Sequence, residues 1–214
     1  MHQLQILKLI VYEYCHLFLL GFITSFLGTL TPSMLNMTTA KISITRSKNE
    51  AIKFAIGVSI IVLIQAYIAI LFTKFLRNNP MFVQSLQKIA IAIFALLSVY
   101  FYRQSKKEKT ASAKEKTGNS FGVGLLLSAL NMFSIPFYCG VTTALDTAGW
   151  FKFSQQNISF FVIGSALGTF ALLDLYANYA KFIQLKSKRI SKNLNLILSI
   201  LTGVLALVTL IKII

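Results

Sequence analysis

Long apolar runs alternate along the chain with short polar, lysine-rich intervals, and six of the runs are long enough to cross about 30 Å of hydrocarbon as helices. They fall at about residues 17–40, 54–73, 82–102, 121–142, 158–180 and 194–211. The third interval, RQSKKEKTASAKEKTGNS, is the longest and makes residues 103–120 a polar linker between two halves of three runs each, 17–102 and 121–214. Residues 1–16 read as an interfacial lead-in. Glu13 and His16 interrupt their apolar stretch and no small-residue cleavage site follows, which argues against a removable signal. The pattern predicts an all-α polytopic membrane protein with six transmembrane helices.

The first and fourth runs are not smooth. GTLTPSMLNMTTA, Gly28 to Ala40, puts a proline, an asparagine and several hydroxyls inside one span, and SALNMFSIP, from Ser128, does much the same in the other half. Each follows a Gly-bearing apolar opening, and each leads to Thr-Thr-Ala, at Thr38 to Ala40 and at Thr142 to Ala144. Runs 1 and 4 are corresponding helices of the two halves. With three spans per half, the second half enters the membrane from the opposite side, so a repeat here has inverted topology. Pro32 and Pro136 each lack a backbone donor and clash one turn back, so both helices are expected to break near mid-membrane. Backbone groups freed there are tolerated only where protein or a water-filled cavity receives them, which places a central polar solute site at the two breaks.

Composition agrees with the pattern: mean hydropathy is +0.70, 56% of residues are apolar and only 13% are charged, outside the range of soluble domains. A net charge of +15 would suggest nucleic acid in a soluble protein. Here the charges lie in loops, with no basic stripe interleaved with aromatics, so nucleic acid is not an expected partner. Of the 21 Lys and Arg, fifteen follow runs 1, 3 and 5, around Lys41 to Lys53, Arg103 to Lys116 and Lys181 to Lys192. The positive-inside rule puts these loops in the cytoplasm and both termini outside.

Cys15 and Cys139 are far apart in apolar surroundings, without a C-x-x-C or a nearby histidine, and read as inert thiols; no metal or cofactor is expected. No span pairs a nucleophile with a histidine, and no paired carboxylates occur, so an enzyme is not expected. The absence of a Walker-type phosphate loop argues against ATP-driven transport by this chain alone.

The Gly-rich first span, the proline-centred break running into MLNMTTAKIS, the basic turn and second span TRSKNEAIKFAIGVS, and the mid-chain element LLSALNMFSIPFYCGV are similar to the LysE/RhtB-type translocators, an amino-acid exporter family. The likeness covers nearly the whole chain. It implies a six-span bacterial inner-membrane protein that exports amino acids or related small solutes. Two departures stand out. The family's first break is typically Pro-Gly-Pro or a Pro-Pro-Gly variant, whereas this chain has Thr31, Pro32 and Ser33; and Asn131 is followed by Met132, with Pro136 arriving later.

The candidate solute-binding residues are therefore Thr31, Pro32, Ser33, Asn36, Asn131 and Pro136, since an amide offers donor and acceptor together and suits both ends of a zwitterion. Asp174 is the one acidic residue deep in a span, with Asn178 one turn on. The pair is the candidate for proton coupling, against the alternative that Asp174 snorkels or pairs with Lys181. Gln65 reads as helix packing, and Gly164-x-x-x-Gly168 as close helix approach, within one chain or in a homodimer. Two functions from different classes follow: a secondary exporter of amino acids driven by the proton gradient, and a non-transporting membrane scaffold.

Overall fold

The computed structural model describes residues 2–30, 33–79, 119–131 and 133–182, with short pieces at 81–82, 95–96, 98–100, 102–103, 200 and 203–204. Six helices carry the described architecture: α1 (His2–Gly28), α2 (Met34–Thr45), α3 (Lys48–Asn78), α4 (Ser120–Ala129), α5 (Ser134–Thr147) and α6 (Gln155–Asn178). Val11–Gly28 of α1, all of α3 and all of α6 are each long and apolar enough to cross a membrane, and α4 with α5 forms a fourth span if the two are taken as one broken helix. The runs at 82–102 and 194–211, the linker 103–120, and Thr31 with Pro32 lie wholly or mostly outside the described residues.

The helices begin where a short polar side chain can receive an orphan backbone N–H. Ser33 Oγ accepts from Asn36 N at 3.4 Å, Ser47 Oγ from Glu50 N at 3.2 Å, and Ser154 Oγ from Asn157 N at 3.3 Å. At the end of α5, Gly149 takes a positive φ of 75°, its N–H reaches Asp146 O at 3.0 Å, and Trp150 N–H reaches Leu145 O at 2.8 Å. This double closure needs a left-handed residue after the helix, which glycine adopts without strain, and it fixes the direction in which Trp150 leaves.

Packing inverts the arrangement of a water-soluble helix. The inward face of α3 carries Ala51, Ala55, Ala66 and Ala69 beside Phe54, Val58, Val62 and Ile70, all buried, whereas Ile56, Ile60, Leu63, Ile64, Ile68 and Leu71 stand exposed on the other face. In water that outer face would forfeit about 25 cal/mol for every Å² left uncovered; against lipid tails it forfeits nothing, and small inward residues let helices close up.

Two glycine seams exploit this. Along α1 and α6, a Cβ added at Gly21 would overlap the Phe161 carbonyl oxygen, one at Gly164 that of Phe18, and one at Gly168 that of Phe22. Along α3 and α4, a Cβ at Gly57 would overlap the Phe121 carbonyl oxygen and one at Gly124 that of Phe54. Glycine is required at these positions because one backbone rests on the other. Gly164-x-x-x-Gly168 thus serves packing inside the chain. Contacts advance in step along both members of each pair, Tyr14 with Phe160 and Ser25 with Thr169 in one, Ser120 with Glu50 and Ser128 with Val58 in the other, so each pair runs parallel.

The seams also set a register. They give Gly21 and Gly124 the same role, and four residues on, buried Ser25 and Ser128. The alignment of Gly28 with Ser128 drawn from the polar segments is therefore displaced by three residues, because matching prolines and hydroxyls ignores where the backbones touch.

By internal contacts the chain forms two units. One comprises Met1–Lys74 and Gly118–Gln184 and holds both seams; the other comprises Phe75–Thr117 and Leu185–Ile214. Within the second, Phe75 meets Phe82 edge to face at 5.5 Å, and Gly203 lies against Ser98.

Candidate functional site at two helix breaks

α1 ends at Gly28 and α2 begins at Met34; α4 ends at Ala129 and α5 begins at Ser134, with a 63° bend between them. The second break falls at Leu130–Phe133, ahead of Pro136 and not at it. Pro136 lies in the first turn of α5, where its missing N–H has no intrahelical partner to lose. It starts the second half-helix, and the polar residue that ends the first is Asn131.

Helix ends free carbonyl groups, and side chains take them up. At the first break, Asn36 Nδ2 donates to Thr29 O at 2.6 Å, and Tyr176 Oη donates to Leu30 O at 3.1 Å. At the second, Gln65 Nε2 donates to Ser128 O at 3.0 Å and to Asn131 O at 3.4 Å, while Asn131 Nδ2 donates to Ser134 Oγ at 3.1 Å. Asn36 is 1% exposed, and Gln65, at 7%, keeps its Oε1 sealed from solvent with no hydrogen-bond donor among the described residues. A sealed acceptor without a donor costs about 1–3 kcal/mol, so this oxygen is an unused binding capacity beside the break.

The two breaks meet. Phe137, just past the second, packs its ring on Gly28, the last residue of α1, closely enough that a Cβ there would overlap the ring. One turn back along α1, Ser25 Oγ lies 2.9 Å from Tyr138 Oη and 2.7 Å from Thr169 Oγ1, a buried hydroxyl cluster joining α1, α5 and α6. Ser165 Oγ, one turn earlier on α6, donates to Gly21 O at 3.3 Å.

The expected site residues divide between two places. Asn36 lies at the first break and Asn131 at the second, Ser33 is the exposed cap of α2, Pro136 is exposed in α5, and Thr31 and Pro32 lie outside the described residues. Asp174 and Asn178 are elsewhere, at the last turns of α6, where Asn178 Nδ2 donates to Asp174 Oδ2 at 2.9 Å. Asn178 also lines a cavity of about 500 Å³ with Ser43, Lys48 and Lys181. Ser25, Tyr138 and Thr169 were not singled out in the sequence. The recurrence Gly21-x-x-x-Ser25 and Gly124-x-x-x-Ser128 is the signal that leads to the first of them.

An apolar helical bundle in which two interrupted helices abut, their carbonyls held by amides and a phenol, has the build of a membrane solute translocator. The sequence pattern of one such family, the LysE type translocator, covers residues 10–213, and the chain belongs to that family. Its function is thereby set at the level of the family, membrane transport of small solutes such as amino acids. No curated protein and no solved structure matches the chain.

Proposed function

We propose that the protein is a secondary transporter that exports amino acids or related small zwitterions across the bacterial inner membrane, driven by the proton gradient. The observation that carries this reading is the meeting of the two breaks, Gly28 against Phe137 and Ser25 against Tyr138. Paired interruptions in one bundle support six spans arranged as inverted repeats over 17–102 and 121–214, with the basic loops cytoplasmic and both termini outside.

In this reading the solute is held at Thr31, Pro32, Ser33, Asn36, Asn131 and Pro136. Asn36 keeps the Thr29 carbonyl in place and so shapes the first break. The sealed Gln65 Oε1 accepts the solute's ammonium group once the site opens, which removes the penalty of its missing donor. Asp174, held by Asn178, takes and releases the coupling proton.

Efflux of labelled amino acids from proteoliposomes, with and without an imposed pH gradient, tests the reading. Gradient-stimulated efflux should be lost in Asp174→Asn and strongly reduced in Gln65→Leu. If efflux is unchanged in Asp174→Asn, the proton lies elsewhere. If no amino acid is moved by the native protein, the zwitterion reading falls and a scaffold or another solute takes its place.

A further inference from the structure

A second cavity, of about 280 Å³, lies where the end of α5 and the start of α6 meet α1, and its chemistry is unlike that of the breaks. Glu13, His16, Trp150, Lys152 and Asn157 line it. Asn157 is 5% exposed, yet its side-chain amide makes no hydrogen bond among the described residues, although the backbone N–H of the same residue is capped by Ser154. Unlike Gln65 Oε1, the Asn157 amide is not sealed off, and Asn157 lines the cavity. Glu13 and Lys152, of opposite charge, both line it. The closure at Gly149 fixes the backbone at Trp150, which lines the cavity.

We infer that this cavity binds a compact zwitterion, an ammonium group and an acidic oxyanion a few bonds apart. Lys152 supplies a point positive charge for the oxyanion and Glu13 a negative one for the ammonium. The Asn157 amide accepts from the one and donates to the other. The indole face of Trp150 attracts the cation or covers an apolar substituent. The volume lies just below that of pockets for drug-sized ligands, which fits a solute of amino-acid size. The same chemistry is presented by a free α-amino acid and by the headgroup of phosphatidylethanolamine, and Trp150 stands at the end of a membrane-spanning segment where either can arrive. The site is separate from the breaks, and its occupancy requires no transport.

Trp150 is the only tryptophan in the chain, so its fluorescence reports this cavity alone. The full-length protein is titrated in phospholipid-free detergent with leucine, with leucine methyl ester lacking the free carboxylate, and with 4-methylpentanoate lacking the ammonium. In parallel, emission is compared in nanodiscs of phosphatidylglycerol with and without phosphatidylethanolamine. A saturable change with leucine identifies a free solute, and a change only with phosphatidylethanolamine identifies the lipid. Either should be weakened about tenfold or more in Lys152→Met and in Asn157→Ala, the loss of one charge-assisted or amide contact. Lys152 and Glu13 are exposed, so Lys152→Met and Glu13→Gln keep the test valid if Asn157→Ala fails to fold. The proposal is overturned if neither probe alters emission, if the ester or 4-methylpentanoate titrates as well as leucine, or if the response survives unchanged in Lys152→Met and Glu13→Gln.

Discussion

The seam between α3 and α4 and the seam between α1 and α6 use one packing device and finish it differently. α3 opens Ser47-x-x-Glu50-x-x-x-Phe54-x-x-Gly57 and α6 opens Ser154-x-x-Asn157-x-x-x-Phe161-x-x-Gly164, with the serine as cap and the glycine under a neighbouring backbone in both. The residue between cap and seam then diverges. Glu50 is occupied: Ser120 Oγ donates to it at 2.6 Å, Lys53 pairs with it at 2.7 Å, and Arg46 reaches Ser120 at 3.3 Å. Asn157, in the corresponding place, opens on a cavity. Close approach of backbones demands the same small residues wherever it occurs, whereas the polar group at the mouth of a seam is free to specialise, as a tie in one case and as a ligand in the other.

Substitutions at the seams themselves should produce the largest and most similar effects. Gly164→Leu and Gly57→Leu each drive a side chain into a carbonyl oxygen of the facing helix, so both should exceed the about 3 kcal/mol of ordinary overpacking and abolish monodisperse protein in size-exclusion chromatography. A well-behaved Gly57→Leu beside a collapsed Gly164→Leu would break the equivalence of the seams. Gln65→Leu strips the side-chain donor from two carbonyls near the end of α4 and should lower stability by about 1–3 kcal/mol in thermal unfolding. Tyr138→Phe leaves Ser25 its bond to Thr169 and should cost only about 1 kcal/mol. Ser120→Ala loosens the closed mouth at the exposed Arg46 and the half-buried Glu50 and should cost about 1 kcal/mol or less, with a larger effect at low salt. Gly122→Ala is the reference: nothing lies within 4 Å of its Cβ, and the gain in helix propensity should leave stability equal or raised by up to about 1 kcal/mol.

The apolar runs around α3 and α6 were legible because lipid and core both accept apolar side chains; the limits differ at the first turns that Ser47 and Ser154 cap, and at the far ends, where α3 runs on to Asn78 and α6 stops at Asn178. The interruption of the fourth span was legible as well, but its position was not. Proline was taken as the breaker, whereas proline in a first turn is a starter, and the chain actually turns at Leu130–Phe133, where Gln65 captures the carbonyls. That capture joins residues more than sixty positions apart and leaves no local trace. Ser25 escaped notice for a different reason: a lone serine in an apolar run says nothing until Ser128 is set against it, and that needs the seam register. Asn157 and Lys152 read as ordinary loop polarity, because only the fold brings Glu13 to them.

α3 is unbroken from Lys48 to Asn78 and touches its neighbour on both sides of the bend: Gly124 and Ser128 before it, Cys139 at Ala69 and Thr142 at Thr73 after it. The bent span is splinted. Its two halves cannot swing about Leu130 as a free joint does; any change of angle must shift α5 against α3, where it would shed the thiol contact at Ala69 and the hydroxyl pair at Thr73, and against α1, where Phe137 and Tyr138 are seated on Gly28 and Ser25. A splint of that kind couples any movement of the second half-helix to both α3 and α1.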